Sequence, residues 1–368
     1  MPRTIISEQN FYSKFTLAEE LETSNPIRFD SKIFNFYLKL KPLNRKLVFI
    51  NCKFSSPILF CEGFQSIQID KEGSEEPNFI DQPETNIFNE SVLFEECDFQ
   101  DIIKFDDIIF SNKFRIHNCN VNEASFRNTT FKDLADFWLT TFKKDIIFYK
   151  TDFNKTTVFS MAKFEGNVLF TYSLFATKVI FARTQFKKGL DLSQSIVSGE
   201  LQPFDLQINF KDFKAVYVGK DDKTFKDYIC EDATIPLENK VHTFQILKKS
   251  FVDIGNYSDS ILMQREEKRA LRELTQERCN DKNIQNVNFG DKIILWLNRW
   301  SNHYQSDFRN GIWFTLIMVI LFGIPTLIST NAYLDNVCFS DCSFSGKRLS
   351  NGIKFFFNFL NPARSLSY

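Results

Sequence analysis

The sequence is poor in the residues that most often carry chemistry. Its 368 residues include 12 Gly, 3 His, 4 Met and 4 Trp. So few glycines disfavour glycine-rich phosphate loops and collagen-like repeats, and no GxGxxG, Walker loop, HExxH or GxSxG occurs. Cys52, Cys61, Cys97, Cys119, Cys230, Cys279, Cys338 and Cys342 are scattered without a repeated CxxC spacing, so no metal site is expected. His117, His242 and His303 have no evident nucleophile partner and are read as structural. Asp98, Asp136 and Asp152 are read as exposed corner charges that discourage sheet aggregation. No catalytic constellation and no cofactor are expected, and the chain is not read as an enzyme. Residues 1–8 lack the apolar core and small-residue cleavage site of a signal peptide. The cysteines are therefore read as reduced, buried hydrophobes of a cytoplasmic domain. A one-sided charge is also missing. Residues 1–240 hold 30 basic and 35 acidic groups within a total net charge of −1, which excludes a nucleic-acid binder working by bulk positive charge.

What the chain has in excess is phenylalanine, 44 residues of it. Phe126, Phe131, Phe137, Phe142, Phe148, Phe153, Phe159, Phe164, Phe170, Phe175, Phe181 and Phe186 stand alternately 5 and 6 residues apart. The same rhythm runs upstream from Phe88 once Phe114 is passed over and Ile116 and Val121 stand in for Phe, with one residue missing near 121–126, and Leu192 continues it downstream. Two residues before most ladder positions sits a small or β-branched side chain, such as Cys97, Ala124, Thr129, Ala135, Thr151 or Ala162. Positions i and i−2 share one face of an extended backbone. A helix would turn about 190° net between successive Phe and could bury no single stripe. Hairpin turn signals are absent. The pattern predicts a solenoid of five- and six-residue sides, about 22 residues per coil, with a bulge at alternate corners.

The triplets Cys97-Asp98-Phe99, Ala124-Ser125-Phe126, Ala135-Asp136-Phe137, Thr151-Asp152-Phe153 and Ala162-Lys163-Phe164 resemble the pentapeptide-repeat family, which centres Leu or Phe and puts a small residue two before it. The resemblance implies a mainly β fold, a right-handed quadrilateral β-helix with the central residue stacked inside, here in a 5+6 residue variant. The twelve Phe above are its expected structural core ladder. Phe49, Phe54 and Phe60 predict a first coil near 45–64, so residues 1–44 are expected to cap a β-helix spanning 45–220. The acidic, Pro-containing stretch 66–87 is expected to loop out, as a solvated insertion or as a binding loop. Ile147, Val158, Leu169 and Ile180 recur every 11 residues just before a ladder Phe. They form either an apolar partner face or side chains turned inward by the extra residue.

Beyond the ladder the period changes. Val241, Phe244, Leu247, Phe251 and Ile254 follow helical spacing, and with the mixed-charge stretch 261–277 they predict an α-helical hairpin over 238–278 that caps or links. Residues 291–305 predict an interfacial amphipathic helix bearing Trp296, Trp300 and Tyr304. Ile312 to Ile328 contains no charge and predicts a transmembrane helix over 312–330, with Trp313 in the aromatic belt and Pro325 as a kink. Together with Phe359-Leu360-Asn361-Pro362 this tail resembles that of membrane-anchored pentapeptide-repeat proteins. In those a second span follows, whereas residues 331–368 here supply an outer loop and a partial second hydrophobic segment. Either the chain is truncated or that segment lies in the interface. The resemblance and the Lys/Arg flanks together imply an inner-membrane protein with a cytoplasmic repeat domain. The expected function is a membrane-anchored interaction scaffold, serving a channel-like or sensor assembly. Its expected partners are membrane lipid, an unidentified protein and, left open, a second copy, with no nucleic acid. The alternative is a DNA-mimic solenoid that binds DNA gyrase or another DNA-binding protein, as soluble family members do.

Overall fold

The computed structural model describes residues 2–20, 25–40, 44–60, 86–219, 233–280, 289–302 and 308–323. The chain divides into two compact units, Met1–Val287 and Asn288–Tyr368. The first is a mainly β solenoid of about seven turns followed by helices.

Each turn contributes short strands to parallel, in-register sheets. One face runs through eight strands, from Ile27–Asp30 by way of Leu47–Ile50, Val92–Glu95 and Phe114–His117 to Leu201–Gln202. In-register parallel stacking places identical ladder positions above one another, so the Phe form columns inside. Ring centroids of successive turns lie 5.2 Å apart for Phe131 and Phe153, 5.0 Å for Phe137 and Phe159, 5.1 Å for Phe142 and Phe164, and 4.7 Å for Phe148 and Phe170. Each of these pairs is coplanar to within 7°. Neighbouring columns meet edge-on, as Phe148 meets Phe159 at 71°. Both geometries suit the quadrupole of the ring. Each buried Phe contributes on the order of 1.5–3 kcal/mol. The residue missing near 121–126 is absorbed by a register shift between Phe99 and Ile102, where strand Asp98–Lys104 bulges against Asn120–Ser125.

The solenoid begins one turn earlier than expected. Ile27–Asp30 pairs with Leu47–Ile50, setting Phe29 on Phe49, and Leu38–Leu40 pairs with Ile58–Phe60. Residues 27–40 are thus solenoid rather than cap. The pattern hid this because Leu40 to Phe49 is nine residues rather than the eleven of two sides. The N-terminal cap is helix α1 (Glu8–Glu20), whose Phe11 stacks 5.0 Å from Phe29 and edge-on to Phe34. The expected loop 66–87 falls on residues outside the described ones, save Asn86 and Ile87. Ile87 is already in a strand paired with Ile109–Phe110.

Corners also differ from expectation. Instead of a simple bulge, alternate corners carry a non-glycine residue in the left-handed region: Asn128, Leu139, Lys150, Met161, Tyr172 and Arg183, at φ between 50° and 58°. Left-handed backbone costs an L-residue roughly 1–2 kcal/mol, and hydrogen bonds offset it. The left-handed residue keeps its ladder bond, as Leu139 N–H donates to Ser160 O and Met161 N–H to Ala182 O. Except after Met161, where Ala162 follows, the next residue is a buried hydroxyl that donates to the carbonyl of a ladder residue one turn back, as Thr129 to Phe105 (2.7 Å), Thr140 to Ile116 (2.6 Å), Ser173 to Phe148 (2.7 Å) and Thr184 to Phe159 (2.7 Å). In the earlier turns Cys52 and Cys119 fill the same position and point Sγ at Phe29 O and Phe94 O.

The far end is closed by α2 (Leu237–Asp253) and α3 (Tyr257–Asn280), with Gly255 at φ 76° between them. Asn239 Nδ2 donates to Asp191 Oδ2 at 2.8 Å, and the Thr243 hydroxyl accepts Leu192 N–H at 3.0 Å. Val216 makes an isolated parallel bridge with Pro236. Within the mixed-charge stretch, Glu266 and Glu267 are 4 % exposed. Arg265 and Arg269 cover the first, and Lys248 and Lys268 the second.

The second unit contains α4 (Phe289–Asn302) and α5 (Phe308–Met318), the latter passing into a π-turn at Val319–Gly323. The expected span of 312–330 is corrected on two counts. The helix starts at Phe308, taking in Arg309 and Asn310, and it widens after Met318. Among the described residues no helix is long and apolar enough to cross a membrane; residues 324–330 and 331–368 lie outside them.

Candidate interaction surface

The twelve ladder Phe from Phe126 to Phe186 are all buried, none above 2 % exposed. They build the solenoid and offer nothing to a partner. Candidate chemistry inside the column is equally closed. Cys52, Cys97 and Cys119 are free and buried. Hydrogen bonding with Cys97, followed by burial, pushes the Cys52 thiol up; burial, followed by hydrogen bonding with Cys119, pushes the Cys97 thiol up. Thiols held protonated are poor nucleophiles and poor metal ligands. Among the described residues no group of three or more His, Cys, Asp or Glu could hold a metal ion. His117 Nε2 lies 2.8 Å from Asp136 Oδ2, with the Trp138 ring edge-on at 5.8 Å; His242 sits beside Gln245 at 3.2 Å. His303 and Tyr304 are outside the described residues. Asp98, Asp136 and Asp152 stand within strands and half-buried, not on exposed corners. For Asp152, between Thr130 and Leu174, burial pushes the carboxyl up.

Outward positions decide what the solenoid can bind. The four recurrent apolar residues divide between two faces. Ile147 and Leu169 share a column that ends at Asp191, on the face where Asn167 donates to Ala233 O and α2 packs. Leu169 is fully buried there. Val158 and Ile180 stack on the opposite ladder and stay half-buried. The corner beside them exposes Trp138 (40 %), Leu139 (37 %) and Met161 (39 %). Together they form an apolar strip climbing one edge over three turns. Sequence reasoning found Val158 and Ile180 but missed Trp138, Leu139 and Met161. The signal lay in the left-handed corners, where a side chain one or two residues past a ladder position points to solvent. A second concavity, about 570 Å³, is lined by Lys104, Arg127, Lys143, Lys144 and Lys188 against Asp106, Glu123 and Asp145. Two ion pairs cross it, Lys144 on Glu123 at 2.7 Å and Lys188 on Asp145 at 3.8 Å.

In the second unit, Trp296, Trp300 and Trp313 are brought to one groove of about 370 Å³ with Arg299, Asn310, Phe314 and Ile317. Spacing explains it. Trp296, Arg299 and Trp300 fall at i, i+3 and i+4 of α4, while Trp313, Phe314 and Ile317 share a face of α5. Trp296 and Trp300 stack at 5.6 Å, and Trp300 meets Phe314 edge-on at 5.1 Å.

No curated protein and no solved structure matches the chain. Residues 148–196, inside the stretch where every turn is 22 residues long, match the family model described as pentapeptide repeats (9 copies), and over that segment the chain is similar to this family.

Proposed function

We propose that this protein is an interaction scaffold held at a membrane, with a cytoplasmic solenoid that binds a protein partner at the inner membrane. The observation that carries this reading is the inverted apolar surface of residues 289–323. Trp296, Trp300 and Trp313 are 58 %, 45 % and 65 % exposed, and Ile294, Ile320, Leu321 and Phe322 exceed half. Each Å² of such surface left in water forfeits about 25 cal/mol, whereas the headgroup region accommodates Trp and adjoining aliphatics. The attachment proposed for these residues is through this apolar surface. On the solenoid the proposed partner surface is the Trp138–Leu139–Met161 strip, since buried aromatic anchors dominate protein interfaces. No observation favours a channel-like role.

The DNA-mimic reading is less favoured. Residues 86–219 carry 16 Lys or Arg against 17 Asp or Glu, and from 137 onward the basic groups lead 11 to 7. A DNA-like partner surface requires continuous acidity.

Fractionation tests the proposal. The full chain should sediment with membranes and resist carbonate, while a chain ending at Val287, which keeps both caps and its own core, should stay soluble. Crosslinking in native membranes should capture a protein partner that Trp138→Ala loses. Recovery of both chains in the soluble fraction would overturn the membrane reading.

A further inference from the structure

We propose that the groove between α4 and α5 binds the phosphate of an anionic membrane phospholipid, with Arg299 as its anion ligand and the tryptophans as its interfacial frame. This deepens the membrane reading above and rests on it.

Three observations converge on that occupant. The first is an unpaired cation. Arg299 is exposed at the groove and has no acidic partner among the described residues. Among the described residues no acidic one lines the groove, and none occurs in the sequence between Asp307 and Asp335. A guanidinium presents a planar fork that matches a phosphate in bidentate fashion. Asn310 adds an amide donor on the opposite wall.

The second is the frame. Three of the chain's 4 Trp line this one groove. Indoles settle at the headgroup level of a bilayer, where the ring is half solvated and the N–H finds a partner. The groove's volume, about 370 Å³, lies at the low end for small-molecule sites. It suits a headgroup with its glycerol better than a folded surface.

The third is a gradient along α5. Arg309 and Asn310 stand at its start, and from Ile312 to Gly323 there is no charge. Over that stretch Ile312, Trp313, Leu316, Ile320, Leu321 and Phe322 are exposed. Polar at one end, aromatic in the middle and aliphatic beyond is the order a lipid presents from phosphate to acyl chain. A soluble phosphometabolite would use the first part of this arrangement and leave the aliphatic stretch without a role.

Vesicle flotation of the purified full chain tests the proposal. Vesicles of phosphatidylcholine alone are compared with vesicles of phosphatidylcholine containing phosphatidylglycerol. The wild-type chain should prefer the anionic vesicles by about tenfold, the range of one charge-assisted contact. Arg299→Gln should abolish that preference while leaving binding to phosphatidylcholine intact, and Arg299→Lys should keep part of it. Trp313→Ala should weaken binding to both vesicles alike. Arg278→Gln, on an arginine already paired to Glu238, should change nothing. Equal binding to both vesicles with a silent Arg299→Gln would overturn the headgroup site and leave the membrane reading standing. No binding to either vesicle would overturn both. Saturable binding of inorganic phosphate without vesicles, lost in Arg299→Gln, would place a soluble anion in the groove and overturn the lipid assignment.

Discussion

The two units spend their aromatic residues in opposite ways. In the solenoid, Phe faces inward, stacks ring on ring and is sealed from water. In residues 289–323, Trp and aliphatic side chains face outward. Phe has no polar atom and suits a dry column, whereas Trp carries an N–H that wants a partner.

The contrast is most easily broken at the column. Phe153→Ala or Phe164→Ala should cost about 3–5 kcal/mol in urea unfolding of the full chain, because coils fixed above and below prevent collapse of the cavity. Trp313→Ala should move the same midpoint by no more than about 0.5 kcal/mol. Similar losses at the two sites would mean that both aromatic sets are core. A smaller effect is expected at Gly199, where a Cβ would fall 1.4 Å from Thr177 O. Gly199→Ala should destabilise by about 1–3 kcal/mol through forced backbone displacement.

The hydroxyl position after each left-handed corner allows a change in the favourable direction. Ala162 occupies a place that Thr140 and Thr184 hold one turn to either side. Ala162→Thr should raise stability by about 0.5–1.5 kcal/mol by supplying the missing donor, read from the unfolding midpoint. The smallest effect is expected at Asp152. Its folded pKa is raised by burial, so the proton is bound more tightly in the folded chain. The stabilisation this brings is complete below the unfolded carboxylate pKa of about 3.9 and is lost as pH rises through the folded value. Asp152→Asn should therefore make the chain slightly more stable at neutral pH and flatten its stability profile between acid and neutral.

The column was legible in the sequence because a buried side of fixed length leaves a periodic trace. Phe126 through Phe186 repeat without a break, and even the residue missing near 121–126 reappears as a bulge. The first turn was not legible, since Leu40 is aliphatic and the return to Phe49 is short. The corners were hidden for a different reason. A left-handed residue is normally announced by Gly or Asn, and here Leu139, Lys150, Met161, Tyr172 and Arg183 adopt that conformation under the constraint of their neighbours. With the corners went the exposed strip, because Trp138, Leu139 and Met161 become surface only once the backbone turns there. Trp296, Trp300 and Trp313 could be singled out in the sequence, but the groove that gathers them with Arg299 needs two helices side by side.

In-register stacking has one more consequence. Seen as a one-dimensional crystal, the solenoid can grow only at its two end faces, and any turn is a template for the next at about 4.8 Å. Phe11 on α1 and the Asn239–Asp191 lock on α2 act as growth terminators. A chain stripped of α1 would present the bare edge of Ile27–Asp30 and the open face of Phe29 to the end of another molecule. Two small plugs thus set the difference between a discrete protein and a fibre.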